Sequence, residues 1–175
     1  RAAEEVKNKK GNTPFTTTDY RVALKREDVD AVYVATAWET HIEVAIEGMK
    51  CGKAVAVEVG GAYSLEELDE MVKTQESTGA PFMFMENCCF HRDELLATAL
   101  VRAGKLGDIV HCSGPYSHDL RSEITNGNII RHYRLRNYIN RNTENYPTHE
   151  LGPIAQILNI NRGNRMLYLT SMSSK

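Results

Sequence analysis

The sequence predicts an α/β protein built on a parallel sheet, and three observations carry that prediction. Three short apolar runs, Asp30-Ala31-Val32-Tyr33-Val34-Ala35-Thr36, Lys53-Ala54-Val55-Ala56-Val57-Glu58 and Pro81-Phe82-Met83-Phe84-Met85-Glu86, are continuous rather than alternating, the pattern of strands covered on both faces. Two helical patterns lie between them. Each opens on a capping box, Thr40-His41-Ile42-Glu43 and Ser64-Leu65-Glu66-Glu67, and each is followed by a glycine, Gly52 and Gly79. The order strand, helix, strand, helix, strand, with short connections, is the one a right-handed parallel sheet requires.

The other elements can be read in chain order. Residues 2–10 look like the end of a charged helix stopped by Gly11-Asn12 and Pro14, followed by a short strand over Phe15–Thr18 and a helical turn through Tyr20, Val22 and Leu24. In the second capped helix, Leu65, Leu68, Met71 and Val72 share one side. After Asn87 the pattern changes. An amphipathic helix over Glu94–Ala103 carries Leu95, Leu96, Ala99 and Leu100 and is closed by Gly104; a new strand begins at Asp108-Ile109-Val110-His111-Cys112-Ser113. Residues 123–143 are polar, arginine-rich and expected to be an irregular loop. A helix over Pro147–Asn159 and a last strand over Arg165–Met172 complete the chain. We place the domain change near Asn87–His91, giving domains 1–88 and 89–175.

Composition narrows the partners. Lys plus Arg number 21 and Asp plus Glu 23, a formal charge of −2, which favours neither nucleic acid nor an anionic membrane surface. Arg131, Arg134, Arg136 and Arg141, interleaved with Tyr133 and Tyr138, form the one basic cluster, read as an anion or sugar site or a solvated face. Cys51, Cys88, Cys89 and Cys112 make no CxxC pair and read as reduced, partly buried thiols. His111, His118 and His132 match no metal-ligand spacing, so no metal is expected. No apolar run is long enough to span a membrane.

In an open parallel sheet, ligands bind beyond the carboxyl ends of the strands. Three residue groups fall there: Thr36-Ala37-Trp38-Glu39-Thr40-His41, Glu58-Val59-Gly60-Gly61 and Glu86-Asn87-Cys88-Cys89. Farther along, Asn145 can cap a helix whose first turn holds Pro147, so that Tyr146 and His149, three apart, share a face at its positive end. Two readings stay open for that stretch: proton-handling residues, or a Tyr-Pro turn before a core helix with Leu151, Ile154, Ile157 and Leu158 inward. No GxGxxG occurs, and the chain opens at Arg1 in mid-helix, so it reads as a central piece of a longer protein.

With these pieces placed, the chain resembles the Gfo/Idh/MocA oxidoreductases and, more closely, glycoside hydrolase family 109, the NAD-dependent α-N-acetylgalactosaminidases. The matching stretches are Asp28-Val29-Asp30-Ala31-Val32, Trp38-Glu39-Thr40-His41, Glu58-Val59, Glu86-Asn87-Cys88-Cys89, Tyr116-Ser117-His118-Asp119-Leu120-Arg121, Tyr146-Pro147-Thr148-His149, Leu151-Gly152-Pro153 and Ile160-Asn161-Arg162-Gly163, in family order over nearly the whole chain. The resemblance implies the C-terminal half of a Rossmann-like parallel sheet, without its glycine-rich first unit, followed by the start of an α+β substrate domain. It implies that Trp38, Glu39, Thr40, His41, Glu58, Val59 and Asn87 line the NAD pocket, and that Tyr116, Arg134, Tyr146, Pro147, Thr148 and His149 line the sugar pocket.

The resemblance also implies a mechanism: oxidation of the sugar at C3 with NAD, abstraction of the acidified C2 proton, elimination of the C1 leaving group, addition of water and reduction back. His149 and Tyr116 would then transfer protons, with Tyr146 assisting; a histidine at a helix N-terminus stays neutral and able to accept a proton, and Glu150 beside it could raise its basicity. Simple dehydrogenases of the wider family carry a proton-moving lysine where this chain has Val59, which speaks for the glycosidase branch. Gly60, where that branch has proline, and Glu150, where it has glycine, are departures. Two rival readings remain: an NAD(P)-dependent sugar oxidoreductase, and a non-catalytic, self-associating piece. The expected partners are a small glycoside and a second copy of the chain, with no nucleic acid and no membrane.

Overall fold

A computed structural model describes residues 2–173, which divide into two compact units, Arg1–Phe84 and Met85–Lys175. In the first unit, β1 (Ala31–Val34), β2 (Ala54–Val57) and β3 (Phe82–Phe84) form a three-stranded parallel sheet in sequence order. Ala31 pairs with Ala54, and Val55 with Phe82. The strands occupy the centres of the three apolar runs. Val34, Val55 and Val57 are buried against Ile42, Val44, Ala45, Ile46 and Met49 of α3 (His41–Lys50), and this is the core of the unit. Gly48 permits the close approach of helix and strand, because a Cβ there would lie 2.9 Å from Val55 Cγ2. Among the described residues, no helix is long and apolar enough to cross a membrane.

The second capping box forms with its return bond shifted by one residue, to the amide before the cap. Ser64 accepts from the Glu67 amide at 3.1 Å, Glu67 Oε2 accepts from the Tyr63 amide at 2.6 Å, and α4 (Leu65–Thr78) ends on Gly79 in the left-handed region. The first box does not form. Trp38–Thr40 make a turn of 3-10 helix that runs straight into α3, leaving Thr40 out of the extended conformation a cap needs, so its hydroxyl turns back to Thr36 Oγ1 and the Ala37 carbonyl. Of the apolar residues on α4, Met71 packs on the core, whereas Leu65 is 79% exposed.

Three further expectations for this unit can be settled. As expected, α1 (Ala2–Lys10) stops at Gly11 and a helix, α2 (Tyr20–Leu24), follows; its cap is Asp19. The strand over Phe15–Thr18 is absent: Thr17 Oγ1 bonds Asp19, building the cap instead of a ladder. The sheet is parallel but covered on one face. α3 and α4 lie on that face, and the other presents small or open residues, Ala31, Ala54, Ala56, Met83 and Tyr33, the last 57% exposed.

The described part of the second unit is helical: α5 (Arg92–Arg102), α6 (Arg121–Thr125), α7 (Gly127–Ile130), α8 (Tyr133–Asn140) and α9 (Pro147–Ile157). The strands expected over 108–113 and 165–172 do not form. Val110 is 96% exposed, and among the described residues of this unit the one bridge joins Ile160 to Asn164. β-prone residues without a neighbouring strand have no ladder to join. The loop expected over 123–143 is α6, α7 and α8, held by Gly127, whose Cβ would meet Leu135 at 2.5 Å, and by the buried Asn137. α9 starts at Pro147 as expected, but Tyr146 is its N-cap; the Asn145 side chain instead accepts from Asn137 Nδ2. On α9 the buried residues are His149 and Pro153; of the apolar positions read as inward, Ile154, Ile157 and Leu158 are half-buried and Leu151 is exposed.

Candidate active site

The second unit brings a carboxylate onto a histidine. Glu86 precedes the 3-10 turn Asn87–Phe90 and caps it, Oε1 accepting from the Cys88 amide at 2.9 Å. The same oxygen lies 2.7 Å from His149 Nδ1, with both side chains buried. A carboxylate can only accept, so Nδ1 donates and a neutral His149 ring keeps its lone pair on Nε2. Burial alone would raise the Glu86 carboxyl; the hydrogen bonds from the His149 ring and the Cys88 amide help to outweigh it and hold the group below its ordinary value. Gly152, one turn along α9, makes this possible, since a Cβ there would lie 2.8 Å from Glu86 Cγ and 3.0 Å from Cys89 Sγ. Pro153 brings no amide hydrogen to the His149 carbonyl one turn back.

Aromatic rings complete this wall. Tyr146 and His149 are nearly parallel, 13° apart with centroids at 4.8 Å, so the shared face read from their spacing is real. Tyr116 joins them, 4.4 Å from the His149 ring and 5.5 Å from Tyr146. Burial pushes the Tyr146 phenol up to about 12, against the opposing pull of Arg134, so it holds its proton at neutral pH. Arg134 on α8 donates to the Tyr146 oxygen through Nη2 and to Glu123 on α6 through Nη1. Burial would lower the Arg134 guanidinium, but Glu123 and the nearby phenols raise it above its usual value; Glu123 in turn is held low by Arg134. His132 caps α8 by accepting from the Arg134 amide, and its other nitrogen is 3.7 Å from Glu123.

Of the sugar-side residues expected from the sequence, Tyr116, Arg134, Tyr146 and His149 lie together, with Thr148 half-buried between the last two and Pro147 exposed. Glu86 and Glu123 were not among them. The carboxylate on His149 is Glu86, not the neighbouring Glu150. Adjacent residues on a helix diverge, and Glu150 packs beside Gly114 with Oε2 buried and no hydrogen-bond partner.

The first unit holds the other expected residues except Asn87. Gly60 and Gly61, at φ +86° and +117°, close over Trp38 and His41: a Cβ on Gly60 would lie 2.5 Å from Trp38 Nε1, and one on Gly61 2.6 Å from His41 Cβ. The His41 ring, 1% exposed, lies between two backbone carbonyls, Gly60 O at 3.2 Å from Nδ1 and Thr36 O at 3.0 Å from Nε2. Trp38 and His41 are thus packed inside the unit, and Thr40 is turned back on the preceding loop. Glu39, beyond β1, is exposed, and Glu58, which accepts from the Tyr33 hydroxyl, and Val59 are half-buried past the end of β2. Asn87, in the second unit, is exposed. Accessible acidic groups at the carboxyl ends of parallel strands fit the hydroxyls of a nucleotide ribose.

Comparison with known proteins gives these units a class. Residues 1–86 match the model of the oxidoreductase family with an NAD-binding Rossmann fold, a nicotinamide-cofactor class, and residues 90–175 match the glycosyl hydrolase 109 C-terminal domain. The chain is 42% identical to an alpha-N-acetylgalactosaminidase of Bacteroides fragilis over 86% of its length and 36% of that protein. It is 41% identical to one of Shewanella oneidensis over 99% of its length and 39% of that protein. In fold it is similar to the crystal structure of myo-inositol 2-dehydrogenase from Lactobacillus plantarum, with a TM-score of 0.68 and 21% identity over 88% of this chain and 44% of that one. The chain belongs to glycoside hydrolase family 109, within the Gfo/Idh/MocA oxidoreductase family. It spans little more than a third of the length of the curated relatives it matches.

Proposed function

We propose that this chain carries the sugar-processing wall of a glycosidase that releases terminal α-N-acetylgalactosamine with NAD, rather than NADP, as a resident cofactor. The observation that carries the reading is the Glu86–His149 pair set against Tyr116 and Tyr146. A bound nicotinamide supplies reversible hydride removal at a sugar carbinol carbon. In the first unit, Glu39, Glu58 and Val59 are the accessible residues that would hold it. NAD is the cofactor named for the family that residues 1–86 match.

The chain's own side chains supply the proton chemistry. Glu86 keeps the His149 proton on Nδ1, so Nε2 is the basic atom and takes the proton from the sugar carbon next to the ketone. The arrangement has the logic of a carboxylate that orients an imidazole base without itself becoming protonated. Tyr146, protonated and held by Arg134, acts as a hydrogen-bond donor to a sugar oxygen, and Tyr116 serves the second proton transfer. Val59, standing where a dehydrogenase lysine would, cannot move a proton, which supports the glycosidase over the sugar oxidoreductase.

The test is hydrolysis of an aryl α-N-acetylgalactosaminide by the complete enzyme in D2O. The elimination route leaves deuterium at C2 of the released sugar, detected by mass spectrometry, and His149→Ala abolishes both release and exchange. Release without exchange would show a direct displacement and overturn the reading. NAD restoring activity to stripped enzyme, with NADP failing to do so, decides the cofactor.

A further inference from the structure

The expectation that no metal binds weighed His111, His118 and His132. The fold assembles a different group. One ligand atom from each of Glu86, Cys88 and His149 lies within 4.8 Å of the other two, and all three side chains are buried. Glu86 and Cys88 come from one short turn and His149 from α9, brought together across the Gly152 crossing.

A second observation concerns the same carboxylate. Glu86 Oε2 is buried and accepts no hydrogen bond, although its twin Oε1 accepts two. A buried carboxylate oxygen left open is costly in apolar surroundings, and a cation satisfies it. The donors decide which cation. Magnesium and calcium take oxygen ligands, whereas a thiolate, an imidazole and a carboxylate are the set taken by zinc and ions like it.

We propose that Glu86, Cys88 and His149 bind a zinc-like divalent cation, and that occupancy switches off the base assigned to His149. The second half rests on the role given to His149 above. Three protein ligands leave the fourth tetrahedral position to water. Binding releases the thiol proton, and coordination through Nδ1 displaces the proton from that nitrogen. A neutral metal-bound ring carries its proton on Nε2, the atom that must be bare to act as a base. Glu86 is drawn onto the ion and no longer fixes the tautomer.

The test is cobalt titration of the chain as it stands. Cobalt bound here gives a near-ultraviolet thiolate-to-metal band and tetrahedral visible bands at one equivalent, displaced by zinc. Cys88→Ser removes the thiolate band and weakens binding at least tenfold, and Cys89→Ser does neither. X-ray absorption on the zinc-loaded wild type, which needs no variant to fold, shows one sulfur among nitrogen and oxygen neighbours. Absence of a thiolate band, two sulfur neighbours, or a band lost in Cys89→Ser and kept in Cys88→Ser overturns the site whatever the enzyme does. In the complete enzyme, zinc lowers kcat at least tenfold in the wild type and far less in Cys88→Ser relative to that variant without zinc. Spectroscopic binding at these ligands with unchanged turnover overturns the inhibitory half and counts against the role of His149 itself.

Discussion

His41 and His149 are both hidden from solvent, at 1% and 8% exposure, yet their partners are of opposite kinds. His41 sits between two backbone carbonyls, which can only accept, so a neutral ring donates to one of them and packs its other nitrogen against the second, lodged between the loop after β2 and the loop after β1. His149 faces a charged carboxylate on one nitrogen and aromatic rings around it, so the other nitrogen can exchange a proton. The difference teaches that burial alone does not separate a structural histidine from a chemical one. The identity of the hydrogen-bond partner does.

Substitutions can break this comparison or sharpen it. The largest effect is expected from His149→Ala in the complete enzyme, about a 100- to 10,000-fold loss of kcat, with the thermal midpoint changed far less than the rate. Glu86→Gln removes the charge and lets an amide contest the tautomer. A loss of roughly 100-fold in kcat with little change in KM is expected, and an unchanged kcat would remove Glu86 from the site. On the structural side, Gly60→Ala forces a side chain into a positive-φ position 2.5 Å from Trp38 Nε1 and should destabilise the first unit by about 2 kcal/mol in urea denaturation. His41→Asn leaves one carbonyl without its donor, costing about 1–2 kcal/mol with kcat per folded molecule retained. A large loss of kcat there would erase the contrast between the two histidines.

The smallest expected effect is in pH dependence. Glu86 and Glu123 both titrate below their ordinary value of 4.5, so each protonates more easily in the unfolded chain. The stability they contribute is complete above that value and is lost as the pH falls through their folded values. Urea midpoints measured between about pH 3 and 6 should therefore drop toward acid, and Glu86→Gln should flatten that slope.

How much was legible follows from the range of each interaction. The three strands could be read because short, continuous apolar runs bounded by capping and glycine signals are local patterns, and α4 because Ser64, Glu67 and Gly79 act on backbone groups a few residues away. The strands expected over 108–113 and 165–172 failed because residue preference carries no information about a ladder partner. α6 to α8 were hidden because polar residues in short helices show no apolar stripe, and Asn137 and Leu135 acquire their places only by packing. Tyr146 and His149 could be paired from their spacing, since three residues is nearly one helical turn. Glu86 could not be matched to a histidine 63 residues away, and the adjacent Glu150 pointed to the wrong carboxylate.

By itself, then, the sequence determined the order of the parallel strands, the helix that carries His149, and the family, because these rest on local periodicity and on motifs in a set order. Only the tertiary structure decided which sheet face is covered, that His41 is lodged between loops, and that Glu86, Cys88 and His149 meet. Those outcomes depend on close approaches at Gly48, Gly60 and Gly152, where the missing side chain matters for what it lets the rest of the chain reach.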